Sequence, residues 1–302
     1  APIISIPLSS MEQSPGPEKP VLKPTLIRPP GLEMARGLLL FSLIFLVFMF
    51  AQMVFLIWRV MALTPTLAKQ GFSMALLDPP PFQRRWMELS TNGDVLSLVS
   101  LLSGLAGLAL LAIVVHRWKR ARTPQFLALR PPALRQLLVW TGFFIVLFAA
   151  LEAVSLLFPE MNSDFMKKVL GSVTNYPLLF LGMGVLPAIF EEFLLRGLLY
   201  GSLRHLLDKN VSVAIVAGVF TLVHQQYDWY ILLLYVLPLG VFLGYARANT
   251  GSIWTGVLLH MLNNCASMVL PQGHLGGGQP QRRYGATGSR RDEAPSGVGS
   301  SS

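Results

Sequence analysis

Long uncharged apolar runs separated by short polar or basic stretches dominate the pattern of this chain. Gly37–Trp58 and Val95–Val115 contain no charged residue. Each is long enough to cross a hydrocarbon core of about 30 Å as a helix. Gln136–Phe158 is a third apolar run, interrupted by Glu152, and Pro177–Tyr200 is a fourth. Val211–His224, Tyr230–Ala246 and Ile253–Leu270 complete seven predicted spans, with residues 59–94 or 159–176 offering an eighth helix. The bilayer leaves helices as the economical way to satisfy backbone polar groups in such segments. The expected fold class is therefore all-α, a polytopic transmembrane bundle of about seven to eight helices.

Composition agrees with the pattern. The chain is 53% hydrophobic and 13% charged, with a mean hydropathy of +0.54, outside the range of soluble domains. A net charge of +9 raises nucleic acid as a partner, but the basic residues lie in loops and tails between apolar runs. They read as topogenic charges and contacts to membrane lipid, with no nucleic-acid partner. The loop after the second span holds Arg117, Lys119, Arg120, Arg122, Arg130 and Arg135 and no acid, which places it in the cytoplasm. Four regions follow: a proline-rich, disordered arm over 1–35; N-terminal spans and basic loop over 36–174; a polar-punctuated membrane core over 175–270; and a disordered Gly/Ser/Arg-rich tail over 271–302.

The candidate chemistry lies in that core. Glu191 and Glu192 follow 14 uncharged residues, where a charge costs about 2.5–3.5 kcal/mol on insertion scales, so a functional site is the default reading. Arg196 stands one turn after Glu192 and suits an intrahelical pair, leaving Glu191 without a partner on its own helix. His224 ends one apolar run, and His260 lies within another with Asn264 on the same face. Counting about 1.5 Å per residue from the predicted turns puts Glu191, His224, His260 and Asn264 in one slab of roughly 10 Å. A buried glutamate beside two imidazoles can activate water as a general base, with His260 and Asn264 donating to an oxyanion. Alternatively Glu191, His224 and His260 would bind a catalytic zinc; the residues leave open whether a metal is present or none is needed. Glu152 faces either this cavity or the interface. His116, His205 and His274 read as interfacial or solvated, and Asn263 as an interhelical hydrogen bonder.

The strings Glu191-Glu192-Phe-Leu-Leu-Arg196, Phe220-Thr-Leu-Val-His224 and His260-Met-Leu-Asn263-Asn264 match EExxxR, FxxxH and HxxxN, in order, on successive apolar helices. In this the chain resembles the CPBP (ABI) family of CAAX-processing and bacteriocin-related intramembrane proteases, which includes the type II CAAX prenyl endopeptidases. The resemblance covers about residues 175–270. It implies an endopeptidase in which Glu191 activates water with His224. His260 and Asn264 would stabilise the oxyanion, or His260 would join a metal site, and Glu192 and Arg196 would support the site. The implied substrate is a membrane-embedded or lipidated protein, and the implied location is the plasma membrane of a prokaryote. Two other classes fit the same residues: a scaffold or bacteriocin-immunity protein without turnover, and a transporter using buried Glu and His as a proton relay.

Overall fold

The computed structural model describes residues 29–66, 80–158 and 164–269. Most of the predicted arm and all of the tail lie outside them. Among the described residues the fold is all-α: α1 Pro30–Ala62, α2 Pro80–Leu89, α3 Gly93–Lys119, α4 Leu134–Leu157, α5 Asp164–Gly171, α6 Tyr176–Leu203, α7 Lys209–Leu222, α8 Trp229–Thr250 and α9 Ile253–Val269. Five are long and apolar enough to cross a membrane: α1, α4, α6, α8 and the stretch Gly93–Leu127 that begins with α3. The chain is an integral membrane protein. Among the described residues, the two regions offered for an eighth span hold α2, of 10 residues, and α5, of 8, each shorter than a span.

Two expectations need correction. Residues 30–35, assigned to the disordered arm, form the first turns of α1. Pro30 occupies the first helical turn, where its missing N–H is harmless, and Glu33 is held by Lys119 Nζ at 2.7 Å. The fifth span is as long as expected, 14 residues, but begins and ends two residues earlier. α7 stops at Leu222, so His224 stands in the turn that follows it.

Helix α6 sits at the centre. Its neighbours approach closely because glycines face them: a Cβ on Gly182 would stand 2.1 Å from the Ser97 carbonyl oxygen of α3, and one on Gly37 of α1 would stand 1.9 Å from Ser202 Oγ of α6. Close approach through small residues is how membrane helices gain packing without a hydrophobic drive between them. Two wide π turns, Phe180–Val185 in α6 and Leu232–Val236 in α8, come just before Pro187 and Pro238. A wide turn relieves the clash that proline makes with the preceding carbonyls, so each helix continues past its proline. A third, Glu192–Leu199, starts at the second glutamate.

The basic loop docks at one end of the bundle. Arg130 donates to the carbonyls of Thr250 and Gly251 (3.1 and 2.9 Å), and Trp254 Nε1 donates to Leu129 O at 2.9 Å. The turn carrying His224 lies at the other end of α7 and α8.

Candidate active site

Glu192, Arg196 and His260 form a buried network. The Glu192 and Arg196 side chains are fully shielded, and Arg196 Nη1 donates to Glu192 Oε1 at 2.9 Å. The other arm of the guanidinium donates to Gly240 O on α8 at 3.0 Å. His260 Nδ1 contacts the same Glu192 Oε1 at 3.0 Å, joining α9 to α6. The Glu192 carboxylate reaches α9 because position 256 is glycine; a Cβ there would stand 2.5 Å from Glu192 Oε2.

Phe220 is the packing hub of this arrangement. It is 1% exposed, with the Arg196 guanidinium 4.5 Å over its ring and the rings of His224 and His260 at 4.5 and 5.5 Å. The aromatic position of the FxxxH string thus has a physical reason. It supports an arginine and two histidines at once.

Glu191 is not part of that network. Its Oε2 is buried and takes no hydrogen bond from the protein. Two imidazoles face it, His224 Nε2 at 3.8 Å and His260 Nε2 at 3.9 Å. His224 Nδ1 meets Phe220 O at 2.6 Å, a contact that requires Nδ1–H as donor. The Nε2 atoms of both histidines are therefore the ones turned towards Glu191. Donors held outside and Nε2 turned inside suit a metal in kind, but not in spacing. Donors of a tetrahedral zinc stand roughly 3.4 Å apart, closer than these separations. Among the described residues no group of three or more His, Cys, Asp or Glu has a metal-binding arrangement. As placed, Glu191, His224 and His260 do not fit a metal.

Asn264 is oriented by a relay from α8 that the sequence does not announce. Tyr235 Oη donates to Asn263 Oδ1 at 3.2 Å, Asn263 Nδ2 donates to Asn264 Oδ1 at 3.4 Å, and Asn264 Nδ2 donates to Gly184 O at 3.4 Å. With its oxygen occupied, Asn264 has one N–H left to offer. Asn263 does connect helices, as expected, and Tyr235 is the missed member. A tyrosine inside the apolar run 229–239 was the available signal, because a buried phenol needs a partner.

All four candidate residues line one cavity of about 430 Å³, together with Glu152, Tyr227 and Tyr235. Phe41, Phe45 and Phe48 of α1 form an aromatic wall on it. Tyr227 lies in the turn between α7 and α8, where burial, then the Glu191 charge, push its hydroxyl up to about 12; it stays a proton donor. The remaining predictions are more ordinary. His205 stacks near Phe126 at the loop end of the bundle, and His274 falls outside the described residues.

Comparison with curated proteins and with solved structures gives no match. Residues 173–266, under a third of the chain, match a family model described as type II CAAX prenyl endopeptidase Rce1-like. The matched segment runs from just before α6 into α9 and holds all three motif strings, so over these residues the chain is similar to the Rce1-like type II CAAX prenyl endopeptidases.

Proposed function

We propose that this protein is an intramembrane endopeptidase that hydrolyses a peptide bond of a membrane-associated or lipidated protein, with Glu191 activating the water. The observation that carries this reading is the placement of Glu191 Oε2, buried without a protein donor between two imidazole nitrogens at 3.8 and 3.9 Å. A water held between Glu191 Oε2 and His224 Nε2 donates a hydrogen bond to each. As its oxygen attacks the scissile carbonyl, Glu191 takes the proton and the C–O bond forms. The oxyanion is met by the free N–H of Asn264, and in its cationic form His260 adds Nε2–H while Nδ1–H stays on Glu192. Glu191 then returns the proton to the departing nitrogen as the C–N bond breaks, and the new carboxylic acid gives its own proton to the released amine, leaving a carboxylate and an ammonium. The aromatic wall of Phe41, Phe45 and Phe48 supports an apolar group beside the cleaved bond, as a lipidated or membrane-embedded substrate carries.

The test uses purified protein in detergent and a panel of lipidated and membrane-helix peptides. The wild type should cleave at least one of them, and Glu191→Gln should lower its turnover by about 10²–10⁴-fold, the usual contribution of a general base. Equal behaviour of the two proteins on every peptide would sink the reading, and would favour a scaffold. A chelator should leave the activity unchanged; loss that zinc restores would replace direct activation by a metal-bound water.

A further inference from the structure

The cavity holds a second carboxylate that the hydrolysis does not use. Glu152 lies on α4 and lines the same cavity as Glu191. Helix α4 is the most lipid-facing of the long helices after α1. Leu134, Val146 and Leu157 are 70%, 69% and 75% exposed, and only 11% of its apolar window is buried. A carboxylate turned inward from such a helix avoids lipid, where it would cost about 2.5–3.5 kcal/mol. Inside, it meets no cation. Among the described lining residues there is no lysine or arginine, and the only other charged side chain besides the two histidines is Glu191, also an acid.

Two polar groups beside it, Ser155 and Tyr235, are engaged elsewhere. Ser155 Oγ donates to the Glu152 backbone carbonyl at 2.8 Å, which leaves the carboxylate untouched. Tyr235, near enough to feel the Glu152 charge, gives its proton to Asn263. A carboxylate so placed is complementary to a cation supplied from outside the protein. The cavity then has three walls: aromatic on α1, hydrolytic on α6, α9 and the turn after α7, and acidic on α4.

We infer that Glu152 forms a specificity subsite for a positively charged group of the substrate, a lysine or arginine side chain or a free amino terminus, held beside the bond that Glu191 attacks. The inference rests on the endopeptidase reading for its cleavage readout, and on binding alone for its second readout.

The experiment uses the full chain in detergent and one cleaved parent peptide. Lysine, glutamine and glutamate are placed in turn at each position flanking the scissile bond. In the wild type, lysine at one position should raise kcat/KM over glutamine by roughly tenfold, mainly through KM. Glu152→Gln should erase that ratio, and Glu152→Lys should shift it towards the glutamate peptide. An unchanged lysine-to-glutamine ratio in Glu152→Gln overturns the subsite, as does a wild type indifferent to charge at every position. The second arm measures peptide binding in the Glu191→Gln background by displacement of a fluorescent lipopeptide. Adding Glu152→Gln should weaken the lysine peptide about tenfold and the glutamine peptide much less. If no peptide is cleaved but this difference persists, the subsite stands and the endopeptidase reading falls. If neither arm distinguishes lysine from glutamine, the subsite is wrong whatever the fate of the hydrolysis.

Discussion

Two adjacent glutamates in one helix carry opposite obligations. Glu192 is fully buried, accepts from Arg196 and contacts His260. Removing one partner of such a network strands a buried charge, at a cost of about 3–5 kcal/mol. Glu191 Oε2 takes no hydrogen bond from the protein, and the two imidazoles facing it stand at 3.8 and 3.9 Å. Glu192→Ala should therefore lower the melting temperature in detergent sharply, whereas Glu191→Gln should leave it unchanged or raise it. A thermal melt of the two variants checks this, and equal loss would mean that both acids are structural. Tyr235 makes a subtler case. Losing its hydroxyl frees Asn263, and through it the Asn264 amide, to rotate. Tyr235→Phe should lower kcat roughly tenfold with KM held, because an oxyanion donor acts only in the transition state. A rise in KM with kcat intact would remove Tyr235 from the relay and make it a wall of the cavity. The Glu192–Arg196 pair was legible in the sequence, since a four-residue spacing joins them on one helix face. The relay was not, because hydrogen bonds between α8 and α9 depend on helix rotation, which no spacing within one segment determines.

The elements were legible wherever apolar runs were long, and less so at their ends. α3, α4 and α8 all extend beyond the runs that predicted them, by taking in charged or polar residues at their ends. His116, Arg117 and Lys119 close α3, for instance, where cations suit the helix C-terminus. Proline marked the exceptional places, as Pro187 and Pro238 do in α6 and α8, but the wide turns ahead of them absorb the ring instead of breaking the helix. The contact that fixes α6 was not visible, because it is a glycine meeting a backbone carbonyl 85 positions away. Gly182→Ala would press a methyl against Ser97 O, which cannot yield as a side chain does. The expected loss is about 1–3 kcal/mol, read as a lower melting temperature in detergent. Gly218→Ala on α7 is the control, since no atom lies within 4 Å of its added Cβ, and it should be neutral or stabilising by up to about 1 kcal/mol. If both variants melt alike, close packing of α6 on α3 is not what holds α6 in place.

At the scale of the molecule, the basic loop and the cavity occupy opposite ends. Arg130 ties the loop to the α8–α9 turn, while Gln226 and Tyr227, in the turn after α7, line the cavity. α8 connects these ends, and its 22 residues rise about 33 Å, a full bilayer core. The positive-inside rule puts the arginine-rich loop in the cytoplasm, so water and substrate should reach Glu191 from the other face. Cys265 is the single cysteine, which makes the arrangement directly measurable. In a Cys265→Ser background, a cysteine placed at Gln226 should react with a membrane-impermeant maleimide on intact bacterial cells. One placed at Arg122, exposed on the loop, should react only after the cells are opened. The reverse pattern would turn the molecule over and deliver substrate from the cytoplasm, with the basic loop an exception to the charge rule. Labelling of both sites on intact cells would contradict a bundle that separates them by the thickness of the membrane.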